Sequence, residues 1–148
     1  MRSAHVNADW AADFDGDVAR GASDHDPMVA VYCRDTTAPT LSVTADPNVL
    51  WPPNHKYKTV QASSSVSDDA DPDPVVTFVS ATSNEPDNGP DDGNTTGDVV
   101  IVDDDTFRLR AERSSSGTGR IYTLTYEAVD SCGNSTVATA TVTVPLEI

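Results

Sequence analysis

Tyr122-Thr123-Leu124-Thr125-Tyr126-Glu127-Ala128 and Ala138-Thr139-Ala140-Thr141-Val142-Thr143-Val144 decide the fold. In both, every second residue is apolar or aromatic, and threonines or Glu127 fill the gaps. A period of two puts the two sets on opposite faces of an extended chain, so each stretch reads as a half-buried β-strand. Working outward, the same period recurs. From Thr40 to Ala45 it places Leu41, Val43 and Ala45 on one face, and from Tyr57 to Val66 it does so for Val60, Ala62 and Val66. Pro74 to Ala81 is apolar around Phe78, and Val99 to Val102 is short. Phe107, Leu109 and Ala111 alternate with Arg108, Arg110 and Glu112. Asp, Pro, Gly and Asn punctuate the runs, and no helical stripe of useful length occurs. Seven strands in about 108 residues have the count and spacing of an all-β sandwich.

Charge narrows the function classes. The chain of 148 residues has a formal net charge of -15. Residues 1–35 hold 3 Arg against 7 Asp, a net of -4, and residues 36–148 supply the remaining -11. Such a chain repels polyphosphate, so nucleic-acid binding by the folded part is not expected. No apolar run reaches the ~18 residues that a spanning helix needs. Met1-Arg2-Ser3-Ala4-His5 lacks the apolar centre of a signal peptide. Arg34-Asp35-Thr36-Thr37-Ala38-Pro39 is polar and ends in proline, which marks residues 35–39 as a linker. The expected organisation is therefore a short segment over 1–34, this linker, and a sandwich over 40–148. The two cysteines, Cys33 and Cys132, fit no zinc spacing, and the sequence leaves open whether they pair.

Two resemblances add to this reading. Leu50-Trp51-Pro52-Pro53-Asn54-His55-Lys56, Thr82-Ser83-Asn84-Glu85-Pro86-Asp87, Leu109-Arg110-Ala111-Glu112-Arg113 with Gly117 and Gly119-Arg120, and Val129-Asp130-Ser131-Cys132-Gly133-Asn134-Ser135 together resemble bacterial immunoglobulin-like modules at the tails of secreted and surface proteins. Members of that group often carry a cysteine where this chain has Ala70, so the resemblance implies that Cys132 lacks its usual partner. The antibody order Cys…Trp…Cys is absent.

The second resemblance lies in Ser23-Asp24-His25-Asp26-Pro27, flanked by His5-Val6-Asn7-Ala8-Asp9-Trp10, Arg20-Gly21-Ala22-Ser23 and the apolar Met28 to Tyr32. Over residues 1–34 the chain is similar to the C-terminal end of the endonuclease/exonuclease/phosphatase superfamily, in its secreted nuclease branch. The resemblance implies that His25 corresponds to the base that activates water, and that Asp24 supports a metal–phosphate centre holding Mg²⁺ or Mn²⁺. The metal-binding glutamate, a second His-Asp pair and an Asp-x-Asn pair of that family would lie upstream. Such sites act as a unit, so catalysis by this chain is not expected. The expectation is a detached C-terminal piece of a secreted or surface nuclease or phosphodiesterase. Its folded part would be a spacing, attachment or binding module for a cell-surface polymer or protein. The competing expectation is a free-standing, calcium-stabilised adhesion or carbohydrate-binding domain.

Within the sandwich, chemistry concentrates in acidic loops. Glu85, Asp87, Asp91, Asp92 and Asp98 fall within fourteen residues, interleaved with Asn84, Asn88 and Asn94 and with Gly89, Gly93 and Gly97. Calcium takes six to eight hard oxygens, and a flexible loop of this kind can wrap one, although the spacing is not that of an EF-hand. Asp68, Asp69, Asp71 and Asp73 form a second cluster and Asp13-Phe14-Asp15-Gly16-Asp17 a third, while Asp103-Asp104-Asp105 has the look of a hairpin turn. The alternative for all of them is solvated loop charge. Arg108, Arg110 and Arg113 are expected to pair with Glu112 and Glu127 across a sheet face, with a phosphate or carboxylate site as the alternative. Trp51 is expected to plug one end of the sandwich, with an exposed stacking site as the alternative.

Overall fold

The computed structural model describes residues 33–148. Asp24, His25, the Asp13–Asp17 stretch and the rest of the nuclease-like segment through Tyr32 lie outside the described residues. Seven strands follow in chain order: β1 (Thr40–Asp46), β2 (Tyr57–Ser67), β3 (Val75–Ser83), β4 (Val99–Ile101), β5 (Thr106–Arg110), β6 (Arg120–Val129) and β7 (Ser135–Val144). No helix occurs among the described residues. Every stretch with period two forms the strand its pattern predicts, with ends shifted by a few residues.

The strands form two antiparallel sheets, one ordered β1-β2-β5-β4 and the other β3-β6-β7. Register follows the apolar parity, because a slip by one residue would turn each apolar set outward. Leu41 lies opposite Val66, Val60 opposite Phe107, and Tyr126 opposite Ala138. The inner faces meet in one core. Leu41, Val60, Ala62, Phe107 and Leu109 come from the first sheet, and Tyr122, Leu124, Tyr126, Ala128, Val142 and Val144 from the second. Phe78 of β3 joins the layers, its ring 5.1 Å from Phe107 and 5.4 Å from Tyr126. A register irregularity between Phe78 and Ser80 leaves Val79 more than half exposed. Asp103-Asp104-Asp105 makes the hairpin turn between β4 and β5, where the Tyr126 hydroxyl donates to the Asp104 carbonyl at 2.5 Å.

After β1 the chain crosses to the edge of the second sheet. The Thr143 N–H donates to the Asn48 carbonyl at 2.9 Å, and the Leu50 N–H donates to the Thr143 carbonyl at 2.8 Å. This crossing corrects the expectation for Trp51. Leu50 is the plug, only 1% exposed, and Trp51 is 41% exposed. Neighbouring side chains of an extended segment point to opposite sides, so burying Leu50 turns Trp51 outward. Leu50→Ala should cost about 2–5 kcal/mol, the usual range for truncating a buried leucine. Trp51→Ala should cost less than half of that. Urea unfolding of the two variants checks the order, and an equal loss would contradict it.

Candidate functional site

Arg120 opens β6 two residues before Tyr122, so it shares the inward parity of Tyr122 and Leu124. Its guanidinium is thereby delivered into the end of the core, and its side chain is 0% exposed. A buried charge needs partners. They come from the segment between β3 and β4, residues 84–98, which folds over this end of the sandwich. Arg120 Nε donates to Glu85 Oε2 at 3.3 Å, and Nη2 donates to the Pro86 carbonyl at 3.1 Å and to Asp92 Oδ2 at 3.3 Å. Arg120 Nη1 donates to Asp98 Oδ2 and, at 3.4 Å, to the Tyr122 hydroxyl.

Arg110, the last residue of β5, grips the same loop from the side. Its Nε donates to Asp98 Oδ1 at 3.0 Å. Its Nη1 donates to the His55 carbonyl at 3.0 Å, and its Nη2 to the Tyr57 hydroxyl at 2.8 Å and the Thr96 carbonyl at 3.0 Å. The guanidinium carbon sits 4.2 Å from the centre of the Tyr57 ring. Asp98 therefore links both arginines. Burial still pushes its carboxyl above the usual carboxylate range, and Arg120 pulls against that shift.

Glu112 lies just beyond β5 with its side chain 0% exposed. Its Oε2 accepts from Thr95 Oγ1, lies 3.0 Å from His55 Nδ1 and is 3.9 Å from Arg110 Nε. Its Oε1 is buried without a hydrogen-bond partner. His55 has a φ of 61° and packs against Gly93, where an added Cβ would lie 2.5 Å from the imidazole. Only glycine lets the loop come this close, and its φ of 107° suits glycine as well.

The five loop carboxylates expected to converge on one calcium are thus divided. Asp92 and Asp98 come together, and Glu112 joins them, with one oxygen of each within 4.8 Å of the others. Glu85 serves Arg120 and accepts the Ser114 N–H at 2.8 Å. Asp87 is exposed and accepts the backbone N–H groups of Gly97 at 2.9 Å and Asp98 at 2.8 Å, which hold its carboxyl below the usual range. Asp91 is exposed at a φ of 66°. Of the expected pairs between these arginines and Glu112 or Glu127, Arg110–Glu112 is present among the described residues, at 3.9 Å. β5 and β6 belong to different sheets, so Glu127 does not face the arginines of β5. Arg108 lies over the Tyr57 ring, and Arg113 donates to the carbonyls of Pro145 and Leu146. Sequence reasoning missed Arg120 altogether. Its signal was an arginine at a core-parity position directly ahead of Tyr122.

At the end of the sandwich where the linker enters, oxygens of Asp35, Asp68 and Asp130 also lie within 4.8 Å of one another. Asp68 Oδ1 accepts the N–H groups of Ala70 and Asp71, and Asp71 accepts that of Ser131 at 2.7 Å. Burial acts to raise the Asp130 carboxyl, but hydrogen bonds from the Asn134 side chain and from the backbone of Asn134, Cys132 and Gly133 outweigh it and lower it. Of the second acidic cluster only Asp68 joins this group; Asp69 and Asp73 are exposed. Cys33 and Cys132 are both disulfide-bonded.

Among the described residues the site offers buried guanidinium–carboxylate pairs and one imidazole, His55, held by a glutamate. Set against protein-family models, curated proteins and solved structures, the chain matches none of them.

Two outcomes follow from these contacts. Arg120→Leu should cost about 3–5 kcal/mol, because it leaves Asp92 as an uncompensated buried charge and Asp98 with Arg110 alone. Arg108→Leu, which removes an exposed cation–π contact, should cost about 1 kcal/mol or less. Chemical denaturation of both variants tests the contrast. Burial also pushes the Tyr122 and Tyr126 hydroxyls up to about 12, against about 10 for unfolded tyrosine. The folded state therefore keeps protons that the unfolded chain releases. The stability tied to these hydroxyls is complete below pH ~10 and is lost as pH rises through their folded values. Unfolding free energy followed across that window, with Tyr122→Phe and Tyr126→Phe as controls, should fall more steeply in the wild-type chain.

Proposed function

We propose that residues 40–148 form a non-catalytic immunoglobulin-like accessory module, used for spacing, surface attachment or binding. In this reading it belongs to the C-terminus of a secreted nuclease or phosphodiesterase. The observation that carries it is the state of the charged site. The donors of Arg120 and Arg110 are turned onto the chain's own loop carboxylates, carbonyls and tyrosines, so these arginines are committed to holding the fold. A phosphate-binding centre needs such groups aimed at the ligand.

The strand order supports the immunoglobulin-like assignment. Lettered in chain order, the sheets read A-B-E-D and C-F-G, the arrangement of a constant-type immunoglobulin sandwich. The Tyr122 hydroxyl, near the start of the sixth strand, donates back to the Arg110 carbonyl at 2.8 Å, as a tyrosine corner does. The nuclease parentage rests on the resemblance of residues 1–34, centred on Ser23-Asp24-His25-Asp26-Pro27. A second reading, an adhesion or carbohydrate-binding domain, is favoured by exposed Trp51 beside exposed Val49, since an indole face stacks on sugars.

Incubation of the full chain with supercoiled plasmid and Mg²⁺ or Mn²⁺ should leave the plasmid uncut. Nicking that disappears in a His25→Ala variant would overturn the non-catalytic reading. Retention on a polysaccharide that is lost in Trp51→Ala would move the assignment to the second reading.

A further inference from the structure

The charged end of the sandwich is out of balance. Glu85, Asp92, Asp98 and Glu112 bring four carboxylates against the two guanidiniums of Arg110 and Arg120. A guanidinium has five N–H donors. All five of Arg120 are engaged: by Glu85, Asp98, Tyr122, Pro86 and Asp92. Four of those on Arg110 go to Asp98, His55, Tyr57 and Thr96. Yet Glu112, fully buried, keeps Oε1 without a donor. An unpaired oxygen of a buried carboxylate carries its full desolvation cost. Carboxylates outnumber guanidiniums by two, and His55, with Nδ1 3.0 Å from Glu112 Oε2, offsets one of these charges only when it is protonated.

Geometry agrees with that balance. One oxygen from each of Asp92, Asp98 and Glu112 lies within 4.8 Å of the other two. Oxygens bound to one calcium at about 2.3–2.6 Å are separated by at most about twice that distance, so this group fits around a single ion. The donors are all hard carboxylate oxygens, which suit calcium or magnesium better than a transition metal. Calcium also accepts the irregular geometry of a loop, where magnesium demands a near-ideal octahedron.

We propose that Asp92, Asp98 and Glu112 bind a calcium ion that fastens the loop over residues 84–98 to the end of β5. The ligand set differs from that expected of the loop alone. Glu85, Asp87 and Asp91 fall outside it, and Glu112, from the far side of β5, completes it. The site stands independently of the accessory-module reading.

The test uses the full chain, stripped with chelator and then titrated with calcium chloride. The melting temperature should rise by several degrees at saturation. Sodium chloride at matched ionic strength should not reproduce the rise. Glu112→Gln should abolish the calcium-dependent rise, and Asp87→Asn should keep it. No rise in the wild-type chain, an equal rise in sodium chloride, or a full rise in Glu112→Gln would overturn the assignment. Should Glu112→Gln fail to fold, hydrogen exchange of the wild-type chain decides. Calcium should slow exchange at the amides of residues 89–98. Slowing confined to residues 68–73 and 130–134 would overturn it by placing the ion at the Asp35–Asp68–Asp130 group.

Discussion

The guanidinium of Arg120 is the constraint on which the rest of this end of the molecule depends. It is fixed by the parity of β6, which buries Tyr122, Leu124 and Tyr126 and must bury Arg120 with them. Once inside, the charge has to be met, and the strands around it supply no carboxylate of the right parity. The loop between β3 and β4 supplies them instead. Glu85, Asp92 and Asp98 reach it from three points along that loop, and each contact removes freedom from a segment with no strand or helix of its own. Glycines at 93 and 97 adopt the left-handed backbone that lets the carboxylates turn inward.

Energetically, this network differs from the apolar core below it. The core gains stability from removing Leu, Val, Phe and Tyr surface from water, a term that scales with area and is indifferent to direction. The arginine network must offset the desolvation of several charges, and replacing a buried ion pair by well-packed apolar groups is often neutral or stabilising. Its effect is conformational choice. A loop of fifteen residues with many Asp, Asn and Gly has numerous alternative turns, and only the arrangement presenting these carboxylates to Arg120 and Arg110 leaves the cations paired. Asp98 contributes twice, because its backbone carbonyl accepts the Arg110 N–H while its carboxylate meets both arginines.

Acidity is therefore distributed by role. Asp68, Asp71 and Asp130 fasten backbone amides in the turns at the linker end, Asp87 fastens the exit of the long loop, and Asp92 and Asp98 are buried counter-charges. Asp69, Asp73 and Asp91 remain as exposed charge. A negative surface of this kind repels polyanions.

The sequence by itself determined the strands. Period-two patterning over Leu41–Ala45, Val60–Val66, Phe107–Ala111, Tyr122–Ala128 and Ala138–Val144 is a local property, and it named both the elements and their buried faces. It also marked the acidic loop as the place where chemistry gathers. Tertiary structure alone decided which carboxylates meet. Glu112 and Asp98 are brought together by the pairing of β4 with β5, and Arg120 joins them because the second sheet stacks over the first. Trp51 shows the same division: its bulk suggested a plug, but the crossing hydrogen bonds at Thr143 set the parity that buried Leu50 instead. Spacing along a chain records which residues share a face of one strand. Distances between side chains on different strands and loops depend on how the sheets stack and the loops close, and that is fixed only when the whole core assembles.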